Sequence, residues 1–136
     1  MSQKRRMSHL IVRVCVAVVL FAAAAAFAAE SGSAGKVLRH VVAIKFKEGT
    51  TPDQIKTVEE AFRALKEKIP QVAALEWGLN NSPEGRNKGF THCFVLSFKT
   101  EEDRAAYLPH PAHKAFGAIL RPVMDDVFVL DYWSRD

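Results

Sequence analysis

Four residues of types that move protons fall within apolar stretches: His40, His92, Tyr107 and His113. By strand parity His92 shares a face with Phe90, Phe94, Leu96 and Phe98, and His40 shares one with Val42, Ile44 and Phe46. Tyr107 closes a short helical stretch, and His113 falls in the first turn of a helix opened by Pro111. The positive end of a helix dipole favours the neutral form of a histidine in its first turn. A neutral imidazole is a competent general base near pH 7. A tyrosine hydroxyl beside it can hold a carbonyl oxygen and stabilise an enolate. His40 and His92 would orient or polarise a substrate oxygen. Gathered in one pocket, the four suit removal of a proton next to a carbonyl, and hence an aldol-type closure or an isomerisation.

Each residue also has a plainer reading, since a core histidine or tyrosine is ordinarily a hydrogen-bonded part of the structure. His110 is expected to cap the Pro111 helix rather than react. A metal site built from His110, His113 and His40 or His92 has no carboxylate in its motif and no ligating cysteine pair, so no metal is expected. There is no glycine-rich phosphate loop, no nucleophile elbow and no paired catalytic carboxylates, and no cofactor is expected. Asp125-Asp126 reads as a solvated turn.

The elements that would position these residues follow from periodicity and turn chemistry. Val37 to Lys47 alternates, is rich in β-branched residues and stops at Gly49, which predicts a strand. Thr51, Pro52 and Gln54 spell a capping box with proline at the first helical position. Ile55, Val58, Phe62, Leu65 and Ile69 then form one apolar stripe on a helix ending near Pro70. Val72 to Asn80 predicts a second strand, with Leu75, Trp77 and Leu79 on one side. The turn-rich Asn81 to Gly89 predicts a hairpin into a third strand, Phe90 to Lys99. A helix start at Thr100 to Asp103, a fresh helix from Pro111 to about Arg121 and a last strand from Asp126 to Trp133 complete the order βαββαβ. That order predicts an α+β, ferredoxin-like sandwich.

Helices in such a sandwich cover one face of the sheet only. Yet Val41 and Ala43 oppose Val42 and Ile44, Cys93 and Val95 oppose Phe94 and Leu96, and Val127 and Val129 oppose Phe128 and Leu130. A sheet that is apolar on both faces needs a second cover, and a second copy packed sheet to sheet is the simplest one. A homodimer is therefore expected.

The chain has 136 residues, a formal charge of +4 and 25% charged residues. This permits one compact domain and excludes a disordered chain. The charge is misleading. Lys4, Arg5, Arg6 and Arg13 precede every acid, and the remainder is balanced, which argues against a nucleic-acid partner. An apolar run from Val14 to Phe27 follows those bases and ends in Ala26-Phe27-Ala28, a small-x-small pattern. Residues 1–28 thus read as a secretory signal peptide cleaved after Ala28 or Ala29. The sixteen uncharged residues from Val14 to Ala29 are rich in alanine and fall short of the about twenty that a span needs. No cysteine follows for lipidation, and the surroundings of Arg5-Arg6 fit twin-arginine export poorly. The mature protein is expected outside the cytoplasm, in the periplasm or beyond the cell, with no membrane contact after cleavage. Cys15 leaves with the signal. Cys93 then remains without a disulfide partner and is expected to be a buried, inert thiol. Residues 29–36 read as a flexible lead-in and 37–133 as the domain.

Leu38-Arg39-His40-Val41-Val42-Ala43-Ile44-Lys45-Phe46-Lys47 and Tyr107-Leu108-Pro109-His110-Pro111-Ala112-His113 resemble the stress-responsive A/B barrel family, called Dabb. Thr91-His92 and Asp131-Tyr132-Trp133 extend the resemblance across the mature chain. It implies a ferredoxin-like fold that dimerises through its sheets into an α/β barrel. At four positions the chain matches a plant polyketide cyclase of the family. The match implies His113 as catalytic base, Tyr107 as its assistant, and His40 and His92 as further pocket residues. The expectation is an exported, dimeric Dabb-domain protein of unassigned biochemical role. Its pocket would take a small apolar carbonyl or phenolic compound. The alternative is a cofactor-free cyclase, isomerase or lyase with His113 as base.

Overall fold

A computed structural model describes residues 35–135. The signal peptide expected at 1–28 and most of the lead-in expected at 29–36 lie outside them. Residues 36–135 belong to one compact unit. Its elements are β1 (Leu38–Phe46), α1 (Pro52–Arg63), α2 (Leu65–Lys68), β2 (Ala74–Leu79), β3 (His92–Phe98), α3 (Glu101–Tyr107), α4 (Pro111–Leu120) and β4 (Met124–Trp133). The four strands make one antiparallel sheet in the order β2-β3-β1-β4. Both helical connections therefore leap over a strand, and the α+β ferredoxin-like sandwich follows. Among the described residues no helix is long and apolar enough to cross a membrane.

Local chemistry accounts for the element ends. The Thr51 side chain accepts from the Gln54 backbone N–H while the Gln54 side chain accepts from the Thr51 N–H, closing the capping box. The Thr100 hydroxyl accepts from the Asp103 N–H at 3.1 Å and starts α3 with three acids in its first turn. The single long helix expected to Pro70 is broken at Ala64, which caps α1 and opens the one-turn α2. Its stripe survives the break, with Val58, Phe62, Leu65 and Ile69 all buried. β3 starts at His92 rather than Phe90, because the Phe90 N–H still donates to Asn87 in the turn. β4 starts at Met124, across a register shift at Lys45/Phe46, so Asp125 and Asp126 belong to a strand and not to a turn. Asp125 pairs with Lys45 at 2.7 Å.

The strands' alternation sorts the sheet into two faces. Leu38, His40, Val42 and Ile44 of β1 and His92, Phe94, Leu96 and Phe98 of β3 are buried under the helices. Phe62 of α1 stacks on Phe94 with ring centres 3.9 Å apart, and its edge meets Phe116 of α4 at 4.8 Å. Among the described residues no helix covers the opposite face. Val41, Ala43 and Val95 are half-buried there, and Phe128, Leu130 and Tyr132 are about half exposed. Cys93 is exposed on this face, which corrects the expectation of a buried thiol. The apolar run around it faces two ways, and its own parity points it away from the core. Partial burial, with Glu76 alongside, raises its thiol above the usual range.

Candidate functional site

The short link between α3 and α4 sets the geometry. Pro111 opens α4, and the His110 Nδ1 accepts from the Ala112 backbone N–H at 3.1 Å, so His110 caps the helix as expected. One turn on, the His113 Nδ1 lies 2.9 Å from the Leu108 carbonyl oxygen. A carbonyl only accepts, so Nδ1 carries a hydrogen and donates, and in the neutral ring Nε2 is the nitrogen with the lone pair. Tyr107 ends α3 with its ring centre 4.4 Å from that of His113. Tyr107 is 1% exposed, and burial pushes its phenol far above the ordinary tyrosine range, so the hydroxyl stays a donor.

β1 brings His40 to the same place. Its ring meets Tyr107 edge-on at 5.7 Å and Phe98 at 6.3 Å. In the β1–β4 register His40 lies opposite Asp131, and its Nδ1 sits 2.6 Å from Asp131 Oδ1. The other carboxylate oxygen accepts from Arg104 Nη1 of α3 at 2.7 Å. A carboxylate held on both oxygens fixes His40 with Nδ1–H donating and turns Nε2 away from the pair.

His40, Tyr107 and His113 are the polar marks at one end of a cleft of about 320 Å³ between α4 and β4. Its other walls are almost entirely apolar, from Val42, Phe62, Phe116, Leu120, Met124, Val127 and Val129, with Gly117 and Arg121 at α4's C-terminal end. Val127 and Val129 are 37% and 50% exposed although they face the helix layer, so the cleft opens along β4.

His92 does not join this group. It lies opposite Ile44 and Leu79, four residues along β3 from Leu96, the partner of His40. That spacing is about 13 Å. Its Nε2 is 3.0 Å from Glu59 Oε1, its Nδ1 is 2.8 Å from Thr91 Oγ1, and its ring packs against Phe46 and Trp77. With both nitrogens engaged it ties α1 to the sheet. The pocket expected for four residues thus gathers three, because two residues of equal parity on neighbouring strands can still lie at opposite ends of the sheet.

Asp131 and Arg104 join the site without having been expected there from the sequence pattern. The signal for Asp131 was present: Val127, Val129, Asp131 and Trp133 share one parity, and a carboxylate interrupts that apolar row. Arg104 carries no comparable mark. Among the described residues no three His, Cys, Asp or Glu side chains come close enough to hold a metal ion.

The family model "Stress responsive A/B Barrel Domain" matches residues 38–134. The stress-response A/B barrel domain-containing protein HS1 of Arabidopsis thaliana is 35% identical over 95 residues, covering 70% of this chain and 87% of that protein. The olivetolic acid cyclase of Cannabis sativa is 28% identical over 98 residues, covering 72% and 97%. Among solved structures, a dimeric ferredoxin-like protein of unknown function from Thermobifida fusca superposes with a TM-score of 0.64 at 26% identity, covering 74% of this chain and 93% of that one.

Proposed function

This chain belongs to the stress-responsive A/B barrel (Dabb) family, and from that premise we propose that it binds a small, mostly apolar carbonyl or phenolic compound in the α4–β4 cleft. One observation carries the reading: an apolar cleft open on one side meets three convergent polar groups, His40, Tyr107 and His113, at one end. The apolar walls take the ligand's body, and the histidines and the phenol bind its oxygen. The protein acts outside the cytoplasm as a homodimer. The basic, then apolar, then small-residue N-terminus supports export. The bare apolar sheet face, together with the dimeric Thermobifida fusca relative, supports pairing through the sheets.

Turnover is a second reading, and the His113 tautomer favours it. With Nδ1 held by Leu108, the Nε2 lone pair is free to take a proton from the carbon beside a carbonyl. The Tyr107 hydroxyl donates to the oxygen on which the enolate charge then collects, and it stays protonated as it does so. The enolate carbon attacks a second carbonyl in an aldol-type closure, or is reprotonated elsewhere in an isomerisation. The proton on His113 returns to the product.

A screen of apolar ketones and phenols against the mature protein, by heat-shift and calorimetry, tests binding. His113→Ala then separates the two readings. For a carrier, affinity falls less than about tenfold, the scale of one hydrogen bond. For an enzyme, the base is worth about 10²–10⁴-fold in rate. Turnover unchanged in His113→Ala removes the proposed base, and no binding across the screen removes the cleft as a ligand site.

A further inference from the structure

We infer that the cleft selects ligands carrying an anionic group, a carboxylate or similar oxyanion, held by Arg121 at the end opposite the histidines. The inference rests on the cleft being a binding site. Three observations carry it. Arg121 lines the cleft beside walls that are otherwise apolar. Its guanidinium folds back one turn over α4, so close that a Cβ on Gly117 would lie 3.1 Å from Nη1. Glycine at 117 eases that approach, since a Cβ there would push the guanidinium away by a few tenths of an ångström. Among the described residues no carboxylate pairs with Arg121, whereas the site's other arginine, Arg104, is held by Asp131.

The position of Arg121 also sets the direction in which such a ligand lies. The inner end offers no such unpaired cation, since Arg104 is bound to Asp131. The outer end offers a planar fork of donors suited to an oxyanion, which no carboxylate among the described residues engages. His113 and Gly117 are four residues apart on α4, and His113 and Arg121 are eight apart. At the helical rise these spacings are about 6 Å and 12 Å. The ligand's anion therefore stands about 6–12 Å from the oxygen or carbon facing His113. An acid with its charge across an aromatic ring or a short chain from its reactive end fits.

A matched pair of probes tests this: 4-butylbenzoate and 4-butylbenzamide, of nearly equal shape and different charge, titrated by calorimetry into the mature protein. Wild type is expected to bind the benzoate about tenfold or more tightly than the benzamide, with the preference shrinking as salt rises. Arg121→Gln is expected to abolish the preference by weakening the benzoate alone, and Arg121→Lys to restore part of it. Arg121 is exposed, so these variants keep the core intact. Equal affinities in wild type, or a preference untouched by Arg121→Gln, overturn the anion assignment and leave the cleft as a binding site. Failure of wild type to bind either probe overturns both.

Discussion

At the scale of single residues, the site depends on hydrogen bonds that decide which nitrogen carries a proton. Leu108 fixes His113, and the Asp131–Arg104 pair fixes His40. Tyr107 has no such tether among the described residues, and its state is set by burial instead. That has a consequence for stability with pH. Its folded pKa lies above the unfolded value of about 10. Below pH 10 the phenol is neutral in both states and the full stability is present. Above it the unfolded chain ionises while Tyr107 resists, so stability falls as pH rises. Thermal melts between pH 8 and 11 should show wild type losing more stability than Tyr107→Phe. Parallel slopes would mean that Tyr107 ionises freely in the folded protein. The histidines and the tyrosine were legible in the sequence because polar residues interrupt apolar rows. The Asp131–Arg104 partnership was not, because it depends on which residue of β4 lies opposite His40, and register across 91 residues of chain is not written in local pattern.

At the scale of elements, the helix layer is keyed to the sheet through aromatic contacts, with Phe62 between Phe94 and Phe116. The same ring lines the cleft. Phe62→Ala should cost about 3–5 kcal/mol in urea unfolding and loosen the α1–α4 contact that shapes the cleft floor. A loss under 1 kcal/mol would place the key contacts elsewhere. Element types and order followed from the capping box at Thr51, the alternation of β1 and β3, and the prolines before α4. The break at Ala64 did not, because neither glycine nor proline marks it and the apolar stripe runs through unchanged. Nor did the separation of His92 from His40, since parity names a face of a sheet and says nothing about position along it.

At the scale of the whole molecule, the open sheet face decides how the protein exists in solution. Phe128, Leu130 and Tyr132 stand about half exposed in a row beside Val41, Ala43 and Val95, and monomers rarely leave such a patch wet. In a symmetric sheet-to-sheet pair each residue of the face is buried twice, so one substitution acts at two places. Leu130→Glu adds a charge to the centre of this face without touching the helix-side core, since Leu130 pairs with Val41 and points away from it. Wild type should sediment as a dimer at micromolar concentration. Leu130→Glu should sediment as a folded monomer, its dimer weakened at least 100-fold by two buried charges. Cys93 gives an independent readout on the same face. Its raised thiol already demands alkaline pH for rapid alkylation, and the partner sheet should shield it further. Alkylation should therefore be slow in wild type and faster in Leu130→Glu at the same pH. A wild-type protein that sediments as a monomer, or a Cys93 equally reactive in both, would leave the apolar face uncovered and require a different occupant for it.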